Sequence, residues 1–205
     1  MDLRTALAKC PIAAILRGVK PDEIDAIGDA LVEAGVTVIE VPLNSPNPFE
    51  SIKRLVARHG ERALIGAGTV LEAADVARVK DAGGRLMVAP NFDADVVRAA
   101  KAAGLARLPG VMTPSEGLAA LKAGADGLKL FPAEIIPPAV FKAWRAVFPA
   151  GTLMLAVGGV GVDNLKTYAE AGASGYGIGS ALYKPGRPAA EIGRLAKALV
   201  AAAKA

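Results

Sequence analysis

Short apolar runs of strand length alternate along this chain with longer segments of helical period, and the alternation completes eight times. Strands buried on both faces read as unbroken apolar runs, so the pattern points to βαβ units around a parallel sheet. The strand-like runs are Ile12 to Gly18, Val36 to Leu43, Leu64 to Val70, Leu86 to Asn91, Ala106 to Val111, Gly127 to Pro132, Thr152 to Gly158 and Gly175 to Leu182. The helical segments between them are Pro21 to Ala34, Pro48 to Arg58, Glu72 to Ala82, Ala94 to Ala103, Pro114 to Ala123, Pro137 to Phe148, Val162 to Ala171 and Ala189 to Ala203. Pro21, Pro48 and Pro114 fall at helix starts, while Gly35, Gly83, Gly104, Gly124 and Gly172 fall at helix exits, each behind an alanine. Such units close into a barrel or lie open as a doubly wound sheet. No run reads as an edge strand, and no Gly-x-Gly-x-x-Gly follows the first one, so the dinucleotide-binding sheet loses its main support. The expected fold is α/β, a single-domain (β/α)8 TIM barrel spanning residues 1–205.

Composition agrees with closely packed layers: 53% of the 205 residues are hydrophobic and only 4% aromatic. The net charge of +4 is spread among acidic residues rather than gathered in a run. It therefore argues against nucleic-acid binding while still favouring a phosphorylated or carboxylated metabolite. Cys10 is the only cysteine, which excludes an intrachain disulfide and a Cys/His zinc site. The single His59 lies in the polar stretch Arg58-His59-Gly60-Glu61-Arg62 and is expected in an exposed loop. No apolar signal region opens the chain and no apolar run is long enough for a bilayer, so a cytoplasmic protein with no membrane partner is expected.

In a (β/α)8 barrel the chemistry collects where the strands end at their C-terminal side. Strand one ends in Arg17-Gly18; strand two carries Glu40 and leads to Asn44-Ser45; strand three ends Gly66-Ala67-Gly68-Thr69; strand four ends Pro90-Asn91. Lys129 stands inside the apolar run Gly127 to Pro132, where an ammonium loses its hydration unless it is paired or functional. Alternation turns Leu128 and Leu130 toward the helices and Lys129 into the barrel. Taken alone, such a lysine also fits a structural ion pair, or an amine reaching out to solvent. Glu40 is the one ionisable residue of a second apolar run, and a lysine with a carboxylate in one pocket suits imine chemistry. The amine must be neutral to attack a carbonyl, and burial or a neighbouring cation such as Arg17 lowers its pKa. Glycine pairs in the seventh and eighth units, Gly158-Gly159 and Gly179-Ser180, stand where barrels often hold phosphate on backbone N–H groups, although tight corner turns use glycine too.

Five stretches carry a family resemblance: Ile15-Leu16-Arg17-Gly18, Glu40 to Pro46, Gly66 to Leu71, Leu128 to Pro132 and Ala156 to Val160. In order and without large gaps, they resemble the class I phosphogluconate/phosphogalactonate aldolases, on the phosphogalactonate side of that family. The resemblance implies a homotrimer of barrels splitting a phosphorylated 2-keto-3-deoxy sugar acid into pyruvate and glyceraldehyde 3-phosphate. No metal or organic cofactor is implied, only a covalent imine with the substrate on Lys129. Glu40 matches the general acid/base, Arg17 and Thr69 the groups around the pyruvate carboxylate and ketone, and Gly158, Gly159, Gly179 and Ser180 the phosphate positions. Pro90, Asn44 and Val157 complete the implied substrate contacts. In the phosphogluconate branch a threonine commonly replaces Val157 and an arginine replaces Asn44. Phosphogluconate cleavage or dual specificity is thus the near alternative. An isomerase or epimerase without an imine, or a barrel that binds sugar phosphate without catalysis, is more distant.

Overall fold

The computed structural model describes residues 1–204. Eight parallel strands run in sequence order: β1 (Ile12–Ile15), β2 (Val38–Pro42), β3 (Leu64–Gly68), β4 (Leu86–Val88), β5, β6 (Gly127–Leu130), β7 (Leu153–Val157) and β8 (Gly175–Ile178). β5 has two halves, Ala106–Leu108 and Gly110–Val111, so nine hydrogen-bonded segments make eight strands. The break falls at Pro109, which has no N–H for the ladder. Its carbonyl still accepts from Lys129 N at 2.9 Å, and Arg107 O accepts from Asp126 N at 3.0 Å. The first half pairs with β4 and the second with β6, while β1 lies between β2 and β8. The sheet therefore closes on itself, as the eightfold alternation led one to expect.

The helices are α1 (Leu3–Lys9), α2 (Ile24–Glu33), α3 (Pro48–His59), α4 (Ala73–Asp81), α5 (Ala94–Ala102), α6 (Pro114–Ala123), α7 (Pro138–Arg145), α8 (Leu165–Glu170) and α9 (Ala189–Ala202). Pro48 and Pro114 open α3 and α6, and α6 is fixed further by a capping box between Thr113 and Glu116. Gly124 ends α6 at φ +107, a left-handed conformation that explains the repeated glycine exit. Pro21 does not open α2: Lys20–Glu23 form a turn, with Glu23 N on Lys20 O at 3.3 Å, and the helix starts at Ile24.

Two apolar layers result. The outer one, with Ile39, Val41, Leu128 and Leu130, packs under the helices; the inner one, with Val38, Leu64, Leu86, Leu108, Leu153, Leu155 and Val157, fills the barrel. α1, which the sequence reading does not anticipate, plugs the N-terminal mouth by adding Leu3, Ala6 and Leu7 to the inner layer. Asp2 caps it, accepting from Thr5 N at 2.8 Å, and Thr37 Oγ1 donates to Ala6 O at 2.8 Å. Burying each leucine contributes about 1.5–3 kcal/mol, enough to hold a seven-residue helix that would not persist alone.

The expected exposure of His59 is corrected. It is the last residue of α3 and only 5% exposed, on the buried face with Ile52 and Leu55. Its Nε2 lies 3.0 Å from Asp29 Oδ1 of α2, without hydrogen-bond alignment. Gly28 makes room for this ring, since a Cβ there would meet Leu55 at 2.6 Å and the imidazole at 3.2 Å. Burial pushes the His59 pKa down, which favours a neutral packing residue.

Candidate active site

Alternation along β6 delivers Lys129 into the barrel. Leu128 and Leu130 are fully buried in the outer layer, whereas Lys129 points inward at 4% exposure. Glu40 does the same on β2 between Ile39 and Val41, at 2% exposure. Its carboxylate lies over the bare Cα of Gly68 on β3, where any Cβ would collide with it. Gly68 thus makes space for the carboxylate. No protein group hydrogen-bonds Glu40 Oε2, which leaves that oxygen free to meet a substrate hydroxyl or a water.

Burial dominates the electrostatics of the pair. It pushes the Glu40 carboxyl up, against the pull of Lys129 and Arg17, and pushes the Lys129 amine down, aided by Arg17 and opposed by Glu40. Both shifts favour the neutral forms: an amine able to attack a carbonyl, and a carboxylic acid able to give up a proton. The Lys129 Nζ also stands 5.1 Å from the centroid of the Phe131 ring.

Beside Lys129 opens a cavity of about 660 Å³. Of the residues expected from the sequence, Arg17, Lys129, Val157, Gly158, Gly159, Gly179 and Ser180 line it. Glu40 lies behind the wall, and Asn44 reaches the site through Arg17, whose Nη1 donates to Asn44 Oδ1 at 2.8 Å. Thr69 and Pro90, at the ends of β3 and β4, do not form its wall. Thr69 sits at φ +54, a left-handed conformation that costs a β-branched residue on the order of 1–3 kcal/mol and persists where function constrains the backbone.

The glycine turn after β7 is left-handed. Gly158 and Gly159 have φ of +103 and +63. Asn164 fixes the turn, accepting from Gly161 N at 2.9 Å and donating to Gly159 O at 2.8 Å. Phe131, Glu134, Tyr183 and Lys184 also line the cavity, although the sequence reading does not single them out. Phe131 had a signal in its place two residues after Lys129, on the same strand face; Glu134 is brought in by the 3-10 turn Ala133–Ile135, and Tyr183 and Lys184 by loop geometry.

A second cavity, of about 680 Å³, opens at the opposite mouth beside α1. There Arg4 donates to Gly151 O at 2.8 Å, Arg107 pairs with Asp126, and no buried nucleophile faces the space. Its size carries no chemistry. Among the described residues there is no cluster of His, Cys, Asp and Glu able to hold a metal ion.

Residues 3–195 match the family model described as "KDPG and KHG aldolase". The "Probable 2-dehydro-3-deoxy-6-phosphogalactonate aldolase" of Rhizobium meliloti is 50% identical over 192 residues, covering 94% of this chain and 91% of the relative. The "2-dehydro-3-deoxy-6-phosphogalactonate aldolase" of Escherichia coli is 42% identical over 194 residues, covering 95% of each chain. Among solved structures, "Native KDPGal structure" superposes with a TM-score of 0.94 at 42% identity, covering 96% of this chain and 95% of the other. A 2-keto-3-deoxy-6-phospho-gluconate aldolase from Zymomonas mobilis gives 0.87 at 30% identity, covering 98% and 97%.

Proposed function

The chain belongs to the KDPG and KHG aldolase family, and from that premise we propose that it cleaves 2-dehydro-3-deoxy-6-phosphogalactonate to pyruvate and glyceraldehyde 3-phosphate through an imine on Lys129. The observation that carries this reading is the buried, mutually perturbed pair of Lys129 and Glu40 beside one open cavity. The neutral amine adds to the C2 ketone. Glu40, held protonated by burial, gives its proton to the carbinolamine hydroxyl; water leaves, and an iminium faces a carboxylate. That carboxylate takes the C4 hydroxyl proton as the C3–C4 bond breaks, and the iminium receives the electron pair as an enamine. Glyceraldehyde 3-phosphate departs, Glu40 protonates the enamine at C3, and water hydrolyses the imine to free pyruvate. No metal or organic cofactor enters this route. Borohydride added with pyruvate is expected to place a reduced pyruvyl mass on the peptide containing Lys129. Label on another lysine, or none, overturns the assignment.

In this reading Arg17 holds the substrate carboxylate, with Thr69 and Pro90 contributing only as the family resemblance implies, and the turns at Gly158-Gly159 and Gly179-Ser180 hold the phosphate. Gly179 tests the phosphate end, because a Cβ there would meet nothing within 4 Å, whereas one at Gly159 would strike Glu134. Gly179→Ala intrudes on the ligand alone. It is expected to raise KM for the phosphorylated substrate by about tenfold, roughly 1.4 kcal/mol, and to leave pyruvate trapping unchanged. Equal damage to both makes Gly179 a shaping residue of the barrel.

The galactonate preference rests on Val157, which is 3% exposed, lines the cavity and packs beside Gly177 on the neighbouring strand. A valine offers no hydrogen bond to a hydroxyl near C4, where a threonine would. One such bond is worth about 0.5–1.5 kcal/mol, so the preference is about two- to tenfold and some gluconate epimer is also cleaved. Val157→Thr is expected to shift kcat/KM toward the gluconate epimer. Parallel assays on the two pure epimers check this, and a wild-type preference for gluconate overturns the substrate assignment while leaving the aldolase chemistry intact. A homotrimer in the cytoplasm belongs to the same proposal. Among the described residues no helix is long and apolar enough to cross a membrane.

A further inference from the structure

The substrate proposed above carries a carboxylate at one end and a phosphate at the other, so its affinity depends on how far apart the two anion anchors are held. One anchor, Arg17, stands just past β1; the other, Gly179 and Ser180, stands just past β8. These strands are neighbours, with Ala14 opposite Ile178, but the ladder ends below both loops. Above it, a side-chain bridge links them. Tyr183, 3% exposed, donates from its hydroxyl to Glu23 Oε1 at 2.7 Å. The same oxygen accepts Lys20 N at 3.1 Å.

Each end of the bridge leads by a short path to an anchor. Tyr183 N donates to Gly179 O at 2.9 Å, so the phenol is tied through one backbone turn to the phosphate glycine. Lys20 lies three residues after Arg17, in the turn that Glu23 closes. Pro185 adds a packing contact, since a Cβ on Gly18 would meet its Cγ at 3.0 Å. Burial first, then the Glu23 hydrogen bond, push the Tyr183 pKa up, so the phenol remains a donor at any pH the enzyme meets.

We infer that Tyr183 and Glu23 are positioning residues that set the separation between the carboxylate anchor at Arg17 and the phosphate anchor at Gly179-Ser180. The inference rests on the proposed function, because only a substrate spanning both anchors senses their spacing. Pyruvate engages the Arg17 side alone and is indifferent to it.

The test compares Tyr183→Phe, Glu23→Gln, Glu23→Ala and the double variant Tyr183→Phe/Glu23→Ala in the full chain. KM and kcat for the phosphorylated substrate, the rate of pyruvate trapping and thermal unfolding are measured for each. Tyr183→Phe keeps the ring and loses the hydroxyl. It is expected to raise KM by about tenfold, the scale of one lost hydrogen bond to a charged acceptor, with kcat and trapping unchanged within about twofold. Glu23→Gln keeps an acceptor oxygen and is expected to retain near-normal KM. Glu23→Ala, which also removes the acceptor of Lys20 N, should raise KM at least as much as Tyr183→Phe, and the double variant should be no worse than Glu23→Ala alone, as for residues acting as one unit. An unchanged KM in Tyr183→Phe, even with lowered thermal stability, overturns the inference, as does an equal loss of pyruvate trapping. Failure of the wild type to cleave the substrate refutes the proposed function instead, and the two failures are told apart by that control.

Discussion

Replacing Lys129 with arginine is expected to leave a folded barrel that neither turns over substrate nor traps pyruvate. A guanidinium keeps its proton at any ordinary pH and cannot add to a ketone, so the imine never forms. What survives is binding and whatever charge stabilisation the site offers without a covalent intermediate. Removal of a covalent nucleophile elsewhere costs on the order of 10⁶-fold in kcat, and a loss of that scale, down to background, is expected here. Because Lys129 is only 4% exposed and arginine is bulkier and permanently charged, Lys129→Met serves as the companion variant that removes the amine without burying a guanidinium. Circular dichroism and thermal melts establish folding, and borohydride labelling reads the imine. Retained trapping in either folded variant would move the nucleophile to another lysine. The wild type offers a parallel check: burial lowers the Lys129 pKa, so the rate of trapping should already rise with pH well below the ordinary lysine value of about 10.4.

The parts of this site legible in the sequence are those whose chemistry conflicts with their local surroundings. Lys129 and Glu40 are the lone charges of apolar strands, and period-two alternation is enough to turn both inward. The repeated alanine-glycine exits mark the units because a left-handed helix end needs glycine whatever the tertiary context. What could not be read depends on neighbours distant in sequence. α1 is seven residues long, and its burial has meaning only once a barrel mouth exists to receive Leu3 and Leu7. His59 is a different case. Its polar neighbours suggest a loop, but Ile52, Leu55 and His59 fall at i, i+3 and i+7, so helical spacing already placed it on the buried face. Glu134 enters the cavity from a 3-10 turn, Ala133–Ile135, and Tyr183 and Lys184 from a loop whose path no periodicity describes. The bridge from Tyr183 to Glu23 spans 160 residues.

Glu40→Gln is expected to separate imine formation from turnover. The amide nearly matches the carboxyl in size, so it fits the space over Gly68 that any larger change would upset. It cannot exchange protons with the carbinolamine, the C4 hydroxyl or the enamine. Loss of such general acid/base catalysis costs roughly 10²–10⁴-fold, and kcat for cleavage should fall by at least that much because Glu40 serves more than one step. Trapping should persist. Glu40 is the group that raises the Lys129 pKa, against the burial and the Arg17 charge that lower it, so the amide variant leaves the amine more neutral. Attack on pyruvate is therefore not impaired by protonation of Lys129, and dehydration proceeds with water as a slower proton donor. The expected result is a variant that still labels with borohydride and pyruvate, with its trapping profile moved to lower pH, but scarcely cleaves the sugar acid. Near-normal turnover would make Glu40 a structural partner of Lys129. Loss of labelling together with turnover would mean that imine formation cannot proceed without the carboxyl, water being no substitute as proton donor to the carbinolamine.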